Sequence, residues 1–75
     1  MSEHEELDGE RGFLHDLANP LAIGFGNIEV VLAKLKSDPH VGPEFIVDRL
    51  TRAVKALERA NLLVEARRAV LQLQE

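Results

Sequence analysis

Ser37-Asp38-Pro39-His40-Val41-Gly42-Pro43 breaks a chain that is otherwise patterned for helix. Its two prolines fix φ and remove two backbone donors, and Gly42 favours a turn, so no helix runs through the segment. On its N-terminal side, Leu14, Leu17, Leu21, Gly24, Ile28, Val31 and Leu35 step by three and four, the spacing of one helix face. Phe13, Phe25 and Leu32 widen that stripe, and Lys34 and Lys36 suit the negative end of a helix dipole. On its C-terminal side, Pro43 is a good first helical residue and Glu44 falls in the first turn. Val47, Leu50, Val54, Leu57, Asn61, Val64, Arg68 and Leu71 then repeat the three-four step, flanked by Ile46, Ala53 and Ala60. The pattern predicts helix 1 over about 10–36, a loop over 37–43 and helix 2 over about 44–74. Residues 1–12 read as an acidic, solvated lead, and residues 13–75 as one helical unit.

Helices of this size are each about 40 Å long, and a short loop between them makes an antiparallel hairpin. The fold class is therefore all-α, and no segment alternates with the period of a strand. A lone hairpin leaves half of each apolar stripe in water. The expected remedy is a second copy, giving a homodimeric four-helix bundle. If facing residues have numbers adding to about 80, His15 lies level with Glu65.

Composition narrows the possible functions. Seventy-five residues build one small domain, and the absence of Cys excludes disulfides and cysteine-based zinc sites. A net charge of −4 argues against general nucleic-acid binding, which depends on basic charge to release counterions. No apolar run reaches the roughly 18 residues needed for membrane insertion, and the acidic start lacks a signal-peptide pattern. The expected location is the cytoplasm. No His, Asp and Glu spacing points to a metal, so none is expected.

The chemistry concentrates in Phe13-Leu14-His15-Asp16-Leu17-Ala18-Asn19-Pro20-Leu21. His15 sits one position off the apolar stripe, so it should face outward or lie at the rim. Asn19, four residues on, shares its face. Ala22 and Gly26 continue that surface toward the loop with small side chains, leaving room for another protein to approach the imidazole. A neutral imidazole offers a nucleophilic nitrogen near neutral pH while its other nitrogen is oriented by a hydrogen bond. Asp16 is the candidate orienting carboxylate. Adjacent helical residues point about 100° apart, so it must use an extended rotamer or act through water. Asn19-Pro20 also reads as an N-cap followed by a first helical residue. Because Leu14 and Leu17 continue the stripe upstream without a phase break, a continuous helix kinked at Pro20 is expected instead.

His15-Asp16-Leu17-Ala18-Asn19-Pro20-Leu21 resembles the H-box of the dimerisation and histidine-phosphotransfer domain of sensor histidine kinases. In that pattern His is followed by Glu or Asp, Leu, any residue, Asn or Thr, Pro and Leu. Gly26, Glu29 and the apolar pair Val30-Val31 extend the similarity, which spans about Arg11 to Leu73. The resemblance implies a phospho-accepting His15, an acid/base partner in Asp16, and an Asn19 that positions water or the phosphoryl group during dephosphorylation. It implies a function in two-component signal transduction, exchanging a phosphoryl group between His15 and an aspartate of a response-regulator receiver domain. Magnesium would come with the receiver. ATP would act only through a separate histidine kinase catalytic domain, whose Asn-rich and Gly-rich boxes have no counterpart in these residues. The chain would thus be a phosphotransferase component not autonomous with ATP. The alternative is a non-catalytic dimeric regulator that binds a histidine kinase or receiver.

Gly24 departs from the family, which usually has a bulky aliphatic residue there; it is expected to remove packing volume and soften the first helix. Arg67 and Arg68, near the level of His15, either contact a phosphoryl group as charge-assisted donors or bridge Glu65 or an acidic residue of helix 1. Arg49, Arg52, Lys55 and Arg59 read as a solvated face. By the resemblance, the corresponding region of the second helix helps grip the receiver.

Overall fold

A computed structural model describes the backbone over residues 3–73 and the side chains over residues 9–73. Two helices account for nearly all of it: α1 (Glu3–Ser37) and α2 (Pro43–Leu73). They fold back on each other as an all-α antiparallel hairpin, and the chain measures 57 × 20 × 13 Å along its principal axes. Phe13 faces Arg67, and Gly24 faces Leu57, so facing residue numbers add to about 80.

The turn forms because Asp38 closes one helix and shapes the bend. Its amide donates to the Lys34 carbonyl at 2.8 Å, extending the α1 pattern by one bond. Its carboxylate accepts the His40 amide at 2.9 Å, and its carbonyl accepts the Val41 amide at 3.3 Å. This is a β-turn with Pro39 at the position where a fixed φ helps. Lys34 reaches the Asp38 carboxylate at 3.9 Å, next to the carbonyl end of α1. Gly42 then leads into Pro43, which starts α2 at no cost in hydrogen bonds.

The boundaries differ from the sequence expectation mainly at the start. α1 begins at Glu3, where a lead was expected to fray. The segment has no proline before Pro20, so nothing in it interrupts the helix ladder, and the helix runs through Gly9 and Gly12 in spite of their cost. The expected end of helix 2, at 74, lies outside the described residues.

The two helices meet through small side chains, and here the expected faces need correction. The buried residues are Pro20, Gly24 and Val31 on α1, and Ala53, Ala56 and Ala60 on α2. Phe13, Leu17, Asn27, Ile46, Arg49, Leu63 and Arg67 line the same seam half-buried. The stripe from Leu14 to Leu35 therefore splits: Leu17, Gly24 and Val31 face α2, while Leu14, Leu21, Ile28 and Leu35 face away. On α2, Ala53 and Ala60, read as flanking residues, are the core, and Val47, Leu50, Val54 and Leu57 are exposed. The physical reason is distance. Alanine and glycine let two backbones approach closely, and the larger aliphatics one position away turn outward.

Gly24 is part of that approach and not a gap in the packing. A Cβ on it would lie 3.2 Å from Leu57 Cγ and Cδ2 and 3.5 Å from the Ala53 carbonyl oxygen. Further along, Asn27 Nδ2 donates to the Ile23 carbonyl at 2.8 Å, and Arg49 Nη1 donates to Asn27 Oδ1 at 3.3 Å. The Arg49 guanidinium also lies 5.6 Å from the Phe45 ring centroid. This polar clasp fixes the register near the loop.

Glycine substitutions separate close approach from helix propensity. Gly26→Ala meets nothing within 4 Å and is expected to stabilise the fold by about 1 kcal/mol. Gly24→Leu is expected to destabilise it by about 2 kcal/mol through overpacking. Urea unfolding midpoints of the two variants check both signs.

Candidate functional site

His15 stands on α1, five residues before the interior Pro20 and away from the seam. Its side chain is 89% exposed, and that of Asp16 is 69% exposed. The ring Nδ1 lies 3.8 Å from Asp16 Oδ1, too long for a hydrogen bond but within Coulombic reach. The Asp16 carboxylate thus lies beside the ring without bonding to it. A shallow hollow beside the imidazole is lined by His15, Asp16, Ala18 and Asn19. Ala18, between the polar residues, keeps that hollow open because it has no long side chain.

Helix α1 is continuous through Pro20, and Asn19 does not begin a new helix. Proline has no N–H, so the carbonyl four residues back, that of Asp16, has no donor from the helix ladder. Pro20 itself is buried against α2.

A second hollow lies between the helices and shares two residues with the first. Asp16, Asn19 and Arg59 form its polar side, and Pro20, Leu62 and Leu63 its apolar side. Arg59 is the cation of this hollow; it is exposed, as a residue of a solvated face would be, and makes no ion pair with Asp16 within 4.0 Å. With facing numbers adding to about 80, Arg59 is level with Leu21, the last of the H-box-like residues.

The other candidates are arranged differently. Arg67 packs its guanidinium 5.9 Å from the Phe13 ring centroid, on the seam side of His15. Arg68 is exposed. Among the described residues neither is ion-paired to Glu65, whose Oε1 instead accepts from Asn61 Nδ2 at 3.4 Å. Ala22 does not line the histidine's hollow. It lines an outward apolar groove with Leu21, Phe25, Ile28 and Leu57. Gly26 is half-buried, with open space where a side chain would be.

Among the described residues, no group of three or more His, Cys, Asp or Glu could hold a metal ion. Among them also, no helix is long and apolar enough to cross a membrane. Comparison with protein-family models, curated proteins and solved structures found no match.

The missing hydrogen bond at Pro20 has a measurable cost. Pro20→Ala supplies an amide for the Asp16 carbonyl and is expected to raise stability by about 2 kcal/mol, after the lost packing of the ring. Urea unfolding reads the gain, and slowed hydrogen exchange of the new amide at position 20 identifies its source.

Proposed function

We propose that this chain is a homodimeric histidine phosphotransfer module of two-component signalling, with His15 as phospho-acceptor. The observation that carries this reading is an exposed imidazole on a helical hairpin, with Asp16 at 3.8 Å and Asn19 in the same hollow. The resemblance of residues 15–21 to the kinase H-box points the same way.

The chemistry follows from the ring. Asp16 sits by Nδ1 and favours the tautomer with the proton there, leaving the Nε2 lone pair as nucleophile. Nε2 attacks the phosphorus of an aspartyl phosphate on a receiver domain. The N–P bond forms as the P–O bond to the aspartate breaks, and the carboxylate leaves with the bonding electrons. The ring then carries positive charge, which the Asp16 carboxylate stabilises or relieves by taking the Nδ1 proton. In the reverse direction the receiver carboxylate attacks phosphorus, and neutral imidazole leaves. Asn19 offers an amide to the phosphoryl oxygens or to a water beside them. Catalysis of this kind is mostly positioning and charge stabilisation, with magnesium supplied alongside the receiver aspartate.

Dimerisation is supported by surface area. The chain exposes 6066 Å², whereas a compact monomer of 8.4 kDa exposes about 4,600 Å². The excess is larger than the roughly 800 Å² per partner of a standard interface. It includes a continuous apolar face: Leu21, Phe25, Ile28 and Leu32 on α1, and Leu50, Val54 and Leu57 on α2. Phe25 is 65% exposed at its centre. A second copy of the same face would bury it.

Two measurements test the reading. Incubation with a phosphoramidate donor, or with phosphorylated receiver domains, is expected to give an acid-labile, base-stable phosphate that His15→Ala abolishes. No label on a folded, dimeric protein would leave the non-catalytic regulator as the better reading. Sedimentation is expected to give a dimer at micromolar concentration, and Ile28→Asp to give the 8.4 kDa monomer. A stable wild-type monomer would remove the bundle.

A further inference from the structure

We infer that Phe25 is the anchor of the dimer contact, each ring seating in the hollow beside the partner's Leu57; this deepens, and rests on, the dimeric reading above. Phe25 stands on the outer face of α1 with 65% of its surface in water. Around it Leu21, Ala22, Ile28 and Leu57 line a hollow that has no charged or hydrogen-bonding side chain. Leu21, Ile28 and Leu57 are themselves exposed. The ring borders this hollow without filling it, so one chain alone leaves both the projection and the hollow in water. Exposure by itself does not single Phe25 out. Leu62 is 64% exposed, but its hollow includes Asp16, Asn19 and Arg59. Exposed Val47 lies in a hollow with Glu44, Asp48 and Thr51. A side chain docking at either place strips water from charged groups, whereas docking at Phe25 displaces it from apolar surface only.

The seam inside the hairpin shapes this surface. Gly24 lets α2 come so close that a Cβ there would lie 3.2 Å from Leu57 Cγ and Cδ2. That approach sets Leu57 beside Phe25, one residue further along α1. A second copy is the occupant that satisfies both features at once. In a two-fold contact a patch meets itself, so a ring entering the partner's hollow brings the partner's ring into its own. A one-sided insertion leaves one ring in water, and the reciprocal one buries both. An aromatic ring carries more apolar area than the aliphatic side chains around it, and binding energy concentrates in such anchors near the centre of a patch.

Sedimentation of the full chain tests this. Phe25→Ala is expected to raise the dimer dissociation constant about a hundredfold, because both insertions are lost. Leu62→Ala, which removes an equally exposed side chain from the other hollow, is expected to change it less than about threefold. Equal effects of the two, or a Phe25→Ala chain that dimerises like the wild type, would overturn the proposal. Retained helical circular dichroism separates dissociation from unfolding. A second measurement uses the unmutated chain, in dimers mixed from isotope-labelled and unlabelled copies. There the Phe25 ring is expected to show interchain nuclear Overhauser effects to methyl groups of the partner's Leu21, the partner's Ile28 or the partner's Leu57. Interchain contacts that omit the ring would sink the inference and leave the dimer standing. A wild-type monomer would remove both the anchor and the bundle. Labelling of His15 is read separately from all of these.

Discussion

The close approach of two helices through Pro20, Gly24, Ala53, Ala56 and Ala60 is the constraint on which the rest of this hairpin depends. Small residues bury little apolar area each, so the seam gains its stability from backbone proximity and from the half-buried residues at its margins. The same choice decides where the large side chains go. With the seam occupied by alanine and glycine, the leucines, isoleucine and phenylalanine one position over have no room between the helices. They form a second apolar face on the outside. The hairpin thus has two apolar faces for two different tasks, one closing the chain on itself and one left to be covered.

That division explains which parts of the fold were legible in the sequence. The three-four spacing and the Pro-Gly break give the helices and the turn directly, because period and proline act locally. The register followed from the loop length. The assignment of faces did not follow. A stripe of Leu14, Leu21 and Ile28 next to Leu17, Gly24 and Val31 reads as one broad surface until the distance between helices is known. Gly24 was the most informative residue and was read backwards, as lost volume, because a helical glycine alone does not distinguish a void from a tight contact. The helix at residues 3–12 was missed because charge and two glycines suggest a tail, whereas neither interrupts a helix ladder as a proline does.

The site divides in the same way. His15, Asp16, Asn19 and Pro20 were visible because their spacing belongs to one helix, where sequence separation fixes the angle. The placing of Arg59 in one hollow with Asp16 and Asn19 was not, since it is tertiary and comes only through the pairing of α2 with α1. Arg67 and Arg68 were placed at nearly the right level, but height along a bundle does not specify which way a side chain turns. Phe13 supplied the competing attraction for Arg67.

The turn at Asp38 has a kinetic consequence. It is the sole covalent hinge of the pair, so contacts near it close short loops while those near His15 close long ones. The entropic cost of closure rises with loop length, so such a hairpin zips from the hinge and opens from its free ends. Around Asn27 and Arg49 the structure is clasped close to the hinge. Around Phe13 and Arg67 it is held by one ring and one cation. The end of the molecule that carries His15 is therefore the last to assemble and the first to breathe, and anything that grips both helices there adds cooperativity that the turn alone does not provide.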